Sequence, residues 1–514
     1  MKKLILLLLF VVSINLHAQV LTSPQIDSLA ELTLKTFDVP GIAVAVVKDG
    51  KVIHAKGYGV RSLNTKQKVD ENTLFGIASN SKAFTVTALG ILIDEGKLKW
   101  DDKVIDYIPE FRMYNPYVTE EFTIRDLLTH RSGLGLGAGD LMFWPDSNNF
   151  TKKDMIHNLR YLKQVSSFRT KYDYDNNLYM VAGEVVARAS GMSWEDFIQK
   201  KILDPLNMSS TAPSYNLLKD KMNVIDPHAP VDGVVKVIRR DANQTLNAAG
   251  GIYSNLTDIC KWIIMQMNNG KYDDGKKLMS QEVHEEMWTP QTIIPVRGET
   301  PYNTHFTSYG LGWFLSDVHG YKQCTHTGGL AGIVTQVTLI PEMKLGIIVF
   351  TNQQSGAAFT AITNTIKDSY FGIKSRNWVK MNHERVMASE GNEKEILNNV
   401  WKDVEAQQKN NIKADVNAFT GTYTDKWFGD VVISVNNGKM WFQSKRSFLL
   451  NGEMLPYKGN TFVVKWTDRS MDADAFVMFD LDNDGKPSGM KMKAISPLTD
   501  FSFDFQDLEF KKTK

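Results

Sequence analysis

The chain has 514 residues, of which 43% are hydrophobic and 23% charged, and its formal net charge at pH 7 is +1. This composition is typical of a globular protein, and the length exceeds what one hydrophobic core usually organises, so two folded units are expected. The balanced charge and the lack of a long basic stretch argue against a nucleic-acid partner.

The chain contains two cysteines, Cys260 and Cys324. They are too few for a disulfide framework and lack the spacing of a metal site. Pairing cannot be read from the sequence alone. Two separate buried thiols are the favoured interpretation, and no metal site is expected.

The N-terminus has the pattern of a secretory signal. Two lysines at residues 2–3 precede an apolar run over residues 4–12, and the small residue Ala18 closes the segment. The pattern predicts a signal peptide over residues 1–18 and an exported protein, periplasmic or secreted. No cysteine stands at the expected new N-terminus, and no later run of 18 apolar residues follows. We therefore expect no membrane anchor after the signal is removed.

Strand and helix signals next define a domain over residues 19–374. Strand-like runs on either side of Asp49-Gly50 predict one β-hairpin, and a similar pattern near residue 340 predicts a second. Mainly helical segments and loops lie between the two. The prediction is an α/β (α+β) fold in which an antiparallel sheet is flanked by helices. The predicted strands cover residues 41–47, 52–55, 332–340 and 345–350, and helices are predicted at residues 25–37 and 356–370.

The remaining chain changes character twice. Residues 375–414 are polar, charged and helix-prone, which predicts a helical linker. Over residues 415–514, short strand-like runs alternate with turn signals such as Asn436-Asn-Gly438, which predicts a small all-β barrel. The predicted barrel strands cover residues 421–423, 430–435, 439–443, 461–466 and 475–479.

A Ser-x-x-Lys sequence, Ser79 to Lys82, begins a helical stretch. Residues three apart share one helix face, so the Lys82 amine can lie beside the Ser79 hydroxyl. A serine hydroxyl is a weak nucleophile at neutral pH, and a desolvated neutral lysine can take its proton. Free backbone N–H groups at the helix start also suit an oxyanion hole. The same spacing at Ser488 and Lys491 falls on a predicted turn and strand, so Ser79 is the candidate nucleophile.

A Tyr-x-Asn sequence, Tyr174 to Asn176, precedes an apolar helical segment. A phenol can relay a proton between a nucleophile, a lysine and a leaving group, and an asparagine amide can orient both a lysine and a substrate. A second Tyr-x-Asn occurs at Tyr253 and Asn255 and remains the alternative.

The segment His326-Thr327-Gly328-Gly329 opens the second predicted hairpin. Glycines on a strand edge let a substrate backbone come close, and one N–H there can complete an oxyanion hole. This segment therefore supplies candidate substrate-binding residues.

The Ser-x-x-Lys, Tyr-x-Asn and His-Thr-Gly sequences at residues 79, 174 and 326, in that order, resemble the three motifs of serine β-lactamases and penicillin-binding proteins. The likeness extends over about residues 24–372. It points to the class C β-lactamase-related branch, which also contains esterases, D-amino-acid peptidases and carboxypeptidases. The resemblance implies a β-lactamase/transpeptidase-like fold with an all-helical subdomain, and an appended lipocalin-like barrel.

The resemblance also implies roles for the motif residues. Ser79 would be the acylated nucleophile, with Lys82 and Tyr174 sharing the base and acid functions. Asn176 would hold the acyl side of the substrate, and the N–H groups of Ser79 and Gly329 would bind the oxyanion. No cofactor is expected.

His326 departs from the family motif, which has lysine at this position. That lysine usually meets a substrate carboxylate, whereas histidine is mostly neutral at pH 7. The predicted function is therefore an exported serine hydrolase that forms an acyl-enzyme on Ser79 and hydrolyses small amides, esters or peptides, including D-amino-acid peptides. The alternatives are acyl transfer to an alcohol or amine, β-lactamase or DD-carboxypeptidase activity, and a penicillin-binding-type receptor without turnover.

Overall fold

The computed structural model describes residues 20–273, 275–409 and 416–513, and the predicted signal peptide lies outside these ranges. An eight-stranded antiparallel sheet, here called the main sheet, joins the two predicted hairpins, because Gly41–Lys48 pairs with Leu345–Thr351. Across the main sheet, the strands are Lys51–Gly59, Gly41–Lys48, Leu345–Thr351, Ile333–Ile340, Tyr321–Leu330, Phe314–Val318, Thr307–Tyr309 and Thr292–Ile294.

The central strands of the main sheet are covered on both faces. Along Gly41–Lys48, Ile42 and Val44 pack into one hydrophobic cluster while Ala43 and Ala45 pack into another. This alternation follows from the two-residue period of a strand, and burial on both faces explains why the sequence here is a continuous apolar run. Burial of one Val or Ile side chain stabilises the folded state by roughly 1.5–3 kcal/mol relative to leaving that side chain in water. The central strands therefore contribute much of the stability of the fold.

Helices form the two outer layers and a helical region between the first and last strands. Ser23–Thr36 and Gly356–Phe371 cover one face of the sheet, whereas Ser81–Asp94 and Leu256–Met267 cover the other. The further helices are Val104–Tyr107, Pro116–Glu121, Ile124–Leu128, Lys152–Asn158, Asn176–Ser190, Trp194–Ile198, Asn247–Gly250 and Gln281–Met287. In the described part of the chain, no helix is long and apolar enough to span a bilayer.

A closed eight-stranded antiparallel barrel, here called the barrel, follows and confirms the predicted all-β fold. Its strands are Gly421–Asp425, Gly429–Asn436, Lys439–Ser444, Asn451–Lys458, Thr461–Trp466, Ala475–Leu481, Pro487–Ala494 and Phe510–Lys512. Asn451–Lys458 was not predicted, because Gly452 and Pro456 weaken a strand pattern. The second Ser-x-x-Lys, predicted on a turn and the strand after it, lies wholly on the strand Pro487–Ala494.

A 32-residue helix, Trp378–Lys409, connects the main-sheet part to the barrel. Its first residue, Trp378, packs into the cluster on the outer face of the main sheet, and Val400 and Val404 pack against the barrel. Most of its other side chains are polar and exposed, as expected of a linker. Cys260 and Cys324 are free and buried, which confirms the prediction of two separate thiols.

Candidate active site

Ser79 lies in a 3-10 turn, Ala78–Asn80, that leads directly into the helix Ser81–Asp94. Ala78 has a φ of 49°, in the left-handed region that non-glycine residues rarely adopt. Such a conformation costs energy and persists only where the surrounding structure holds it. The serine is therefore presented by a turn that its neighbours fix in place.

Gly328 accounts for part of that constraint. A Cβ atom on Gly328 would lie 2.3 Å from the carbonyl oxygen of Ile77 and 2.9 Å from the Cβ of Ala78. Only glycine lets the strand Tyr321–Leu330 approach the nucleophile turn this closely. The sequence indicated Gly328 as a substrate-binding residue, but the structure shows it packed against the backbone that carries Ser79.

Lys82 lies one turn further along the helix and is completely buried. Its Nζ is 3.1 Å from the Oγ of Ser79, 2.7 Å from the Oδ1 of Asn176 and 3.0 Å from the carbonyl oxygen of Ala249. Burial lowers the pKa of Lys82 to about 7, although nearby carboxyl groups oppose the shift. An amine that is neutral near pH 7 can accept a proton from the serine it touches.

Tyr174 packs against the same lysine, with the Nζ of Lys82 4.7 Å from the centre of its ring. Among the described residues, its hydroxyl has no partner at hydrogen-bond distance. Burial raises the pKa of the phenol well above 10, while the nearby Ser79 hydroxyl offsets part of this shift. The phenol therefore keeps its proton at neutral pH and has it free for a substrate.

His130 holds the ring of Tyr174 in place. The two ring centres are 4.2 Å apart, and the Nδ1 of His130 accepts a hydrogen bond of 3.0 Å from the backbone N–H of Asp175. His130 is fully buried, and burial lowers its pKa well below 6.5, so it stays neutral. It is therefore a structural histidine that orients Tyr174.

Asn176 begins the helix Asn176–Ser190 and links Lys82 to a carboxyl group that the sequence did not reveal. Its Nδ2 donates to the Oδ2 of Asp140 at 2.9 Å, while its Oδ1 accepts from Lys82. Asp140 is fully buried, and burial raises its pKa well above 3.8. The barrel residue Ser502 donates its hydroxyl to the same Asp140 oxygen at 2.8 Å.

His326 points into the protein and has both ring nitrogens engaged. Its Nδ1 is 2.6 Å from the carbonyl oxygen of Thr327, which can only accept, so Nδ1 carries the proton. Its Nε2 then accepts from the hydroxyl of Tyr309 at 2.9 Å. Burial lowers the pKa of His326 to about 3, so the ring is neutral at physiological pH. In this arrangement it does not provide a cation for a substrate carboxylate.

These side chains surround one cavity of about 400 Å3. Lys82 lies behind Ser79 rather than in the cavity wall, and Gly328 packs against the turn that carries Ser79 instead of lining the cavity. Barrel residues 500–502 form part of the opposite wall, which the sequence did not indicate. The predicted site residues that line the cavity are Ser79, Tyr174, Asn176, His326, Thr327 and Gly329.

The alternative Tyr-x-Asn lies elsewhere. Tyr253 belongs to a two-residue strand, Tyr253–Ser254, and lines a separate small pocket. The side chain of Asn255 caps the helix Leu256–Met267 by accepting a hydrogen bond of 2.9 Å from the N–H of Asp258. Tyr174 is therefore the tyrosine that the fold brings to Ser79.

The sequence model of the beta-lactamase family matches residues 26–369. This range includes the main sheet and every predicted site residue from Ser79 to Gly329. The chain belongs to the beta-lactamase family. This family is one of serine hydrolases. A second family model, described as a domain of unknown function (DUF3471), matches residues 406–512 and includes the barrel.

Curated relatives of this family member include fungal and bacterial proteins. The unguisins hydrolase ungD of Aspergillus violaceofuscus is 28% identical over 368 residues, which cover 67% of this chain and 64% of the relative. Protein flp of Staphylococcus aureus is 29% identical over 335 residues, which cover 64% of this chain and 63% of flp. The matches therefore span somewhat less than two thirds of these relatives.

A solved structure has a similar fold over nearly the whole chain. The octameric penicillin-binding protein homologue from Pyrococcus abyssi superposes with a TM-score of 0.60 at 21% identity. The superposition covers 95% of this chain and 99% of that one. The likeness confirms the predicted combination of a main sheet, helices and a barrel.

Proposed function

We propose that the chain is an exported serine hydrolase that forms an acyl-enzyme on Ser79 and hydrolyses small amides or esters. The observation that carries the proposal is the 3.1 Å contact between the Ser79 hydroxyl and the completely buried amine of Lys82. The name of the relative ungD, a hydrolase, is in keeping with this chemistry. Export rests on the pattern of residues 1–18.

The proposed reaction begins when Lys82 takes the hydroxyl proton of Ser79 and Oγ forms a bond to the substrate carbonyl carbon. The N–H groups of Ser79 and Gly329 stabilise the negative charge on the carbonyl oxygen. The bond to the leaving group then breaks as Tyr174 gives that group a proton, which Tyr174 regains from Lys82. Water then gives a proton to the same pair and attacks the acyl-serine. The bond from the acyl carbon to Oγ breaks, the pair returns the proton to Oγ, and the acid leaves with Ser79 restored.

The cavity wall supports an uncharged or cationic substrate. Among the described residues that line it there is no lysine or arginine, His326 is neutral, and Asp500 supplies the only carboxyl group, whose pKa burial raises above its usual range. Most of the wall is apolar and aromatic, including Phe143, Trp144 and Phe501. A carboxylate placed here would lose its hydration and meet no cation, which is unfavourable. This argues for small amides and esters over β-lactams, which carry a carboxylate.

A matched series of nitrophenyl esters tests this substrate preference. For acyl chains of equal length that end in a methyl, ammonium or carboxylate group, we expect kcat/KM to be about 10-fold lower for the carboxylate than for the methyl ester. The variant Asp500→Asn should reduce this difference in kcat/KM, because it removes the acidic group from the cavity wall. A wild-type preference for the carboxylate ester would contradict the proposal for the cavity.

The pH dependence of kcat/KM tests the role of Lys82. Because Lys82 acts as a base only when neutral, and burial lowers its pKa to about 7, activity on a neutral ester should rise with pH and level off above about 8. Asp175 raises the pKa of Lys82 through its charge, so Asp175→Asn should move the rising limb toward acid. A flat profile between pH 5 and 9 would rule out this role.

The nucleophile is tested by mass spectrometry of the intact protein after treatment with a fluorophosphonate. We expect one adduct on the wild type, located at Ser79, and none on Ser79→Ala. Ser488→Ala, which removes the serine of the second Ser-x-x-Lys on a barrel strand, serves as the control and should label like the wild type. An adduct of equal size and rate on Ser79→Ala would refute the assignment.

A further inference from the structure

A loop of the barrel reaches the active site. This barrel loop, residues 500–504, follows the strand Pro487–Ala494 and precedes the 3-10 turn Phe505–Asp507. Asp504 is fully buried, and its carboxylate accepts hydrogen bonds from the backbone N–H groups of Gly139 at 2.6 Å and Leu141 at 2.9 Å. Hydrogen bonds from two backbone amides to one buried carboxyl group fix the barrel loop on either side of Asp140.

The barrel loop also fits the main-sheet part by shape. A Cβ atom on Gly137 would lie 2.9 Å from the ring of Phe501, so the glycine leaves room for that ring. Phe501 packs edge-on against Tyr174, with ring centres 5.9 Å apart. These contacts place the next residue of the loop, Ser502, where it is 93% buried against Asp140, since only 7% of it is exposed.

A continuous chain of hydrogen bonds runs from Ser502 to the nucleophile. The hydroxyl of Ser502 and the Nδ2 of Asn176 both donate to the Oδ2 of Asp140, at 2.8 and 2.9 Å. Because Nδ2 donates to Asp140, the Oδ1 of Asn176 faces Lys82 and accepts from its Nζ at 2.7 Å. The Nζ in turn lies 3.1 Å from the Oγ of Ser79.

We propose that Ser502 is a positioning residue of the active site, which acts through Asp140 and Asn176 on Lys82, so that the barrel completes the catalytic arrangement. The inference rests on the proposed function of Ser79 and Lys82. Ser502 holds the carboxyl of Asp140 in the orientation that turns the oxygen of Asn176 toward the lysine. A catalytic base must stay within hydrogen-bond distance of the nucleophile. A small displacement of Lys82 would therefore lower the rate of acylation rather than the affinity for the substrate.

The charges around Asp140 give the inference a second readout. Burial raises the pKa of Asp140, and the bonds from Asn176 and Ser502 lower it. The other Oδ atom of Asp140 has no partner within the described ranges. Among the residues that the structure describes, the titratable groups around the Lys82–Asp140 pair are Tyr174, Asp175, Tyr179, Asp504, His130 and His326.

Loss of the Ser502 hydroxyl should therefore raise the pKa of Asp140 and weaken its negative charge. That charge raises the pKa of Lys82, so the pKa of Lys82 should fall. The rising limb of the pH profile would then move toward acid.

The test compares full-length Ser502→Ala, Ser502→Thr and the wild type. We expect Ser502→Ala to lower kcat and the rate of fluorophosphonate labelling about 10-fold with KM within about twofold, and to move the rising limb toward acid. Ser502→Thr keeps a hydroxyl and should recover most of the rate. Ser488→Ala, an exposed serine of the barrel, should behave as the wild type.

The outcomes separate the inference from the proposed function. If Ser502→Ala matches the wild type in kcat and in pH profile, or changes KM alone, the positioning role is wrong while Ser79 stands. If the wild type is not labelled at Ser79, the proposed function fails as well. Thermal unfolding of each variant shows whether a loss of rate reflects a loss of folded protein, and a melting temperature near that of the wild type is expected.

Discussion

Replacement of Lys82 by methionine is expected to slow acylation of Ser79 about 1000-fold, within the range that removal of a general base produces. Methionine fills a similar volume without a charge or a proton acceptor. The lysine is completely buried, and its amine lies 3.1 Å from that hydroxyl, within reach of its proton. The rate of burst release from an activated nitrophenyl ester measures the effect directly.

Lys367 provides a matched control for this prediction. It is also buried, with 4% of its surface exposed, and burial lowers its pKa to about 7. Its amine donates to the Oε1 of Gln323 at 2.8 Å and lies 4.0 Å from the ring centre of Tyr302, outside the cavity. Lys367→Met should therefore acylate at the wild-type rate. An equal loss in both variants would mean that the Lys82 effect reflects damaged folding.

Replacement of Asp126 by alanine is expected to lower the free energy of unfolding by about 3 kcal/mol, the range for removing one partner of a buried ion pair. The Asp126 side chain has no exposed surface and accepts hydrogen bonds from Thr123, Arg131 and Arg169. Its loss leaves Arg131 and Arg169 without their carboxylate partner and the backbone N–H of Thr123 without its side-chain acceptor. Asp126 lies in the helix Ile124–Leu128, which ends two residues before His130, so the variant should lose activity at a lower temperature than the wild type does.

Urea unfolding followed by tryptophan fluorescence measures this loss. Asp101→Ala is the matched control, because Asp101 also pairs with an arginine, Arg125, at 2.8 Å but has 69% of its side chain exposed. An exposed pair of this kind contributes less than about 1 kcal/mol. If Asp126→Ala lowered the free energy of unfolding no more than Asp101→Ala does, the buried ion pairs of Asp126 would not contribute the predicted stability.

The sequence predicted those parts of the fold and site that depend on local spacing. Ser79 and Lys82 are three residues apart on one helical run, so their contact follows from helix geometry. The strand at residues 41–48 was predictable because seven of its eight residues are buried and apolar or glycine. In contrast, Thr292–Ile294 and Thr307–Tyr309 have only three residues each, too few for a period-two pattern to emerge.

Other parts of the site depend on contacts between distant segments. Asp140 lies 36 residues from Asn176, and Ser502 lies 362 residues from Asp140, so no spacing rule could join them. His326 shows a different limit of prediction from the sequence. Its residue type predicted a mostly neutral ring, but only the structure shows that Tyr309 and Thr327 engage both nitrogens.

The position of the barrel loop sets an order of events for a chain made from its N-terminus. The segment that carries Asp140 emerges from the ribosome long before Ser502, which lies 362 residues later. The hydrogen bond between them can form only after the barrel has folded and docked. A chain whose synthesis or folding is incomplete therefore contains Ser79 but lacks the hydrogen bond from Ser502 to Asp140 that completes the arrangement around Lys82. Docking of the barrel, the last folding step, would then also give Ser79 its full reactivity. Incompletely folded protein would react less with unintended acyl donors.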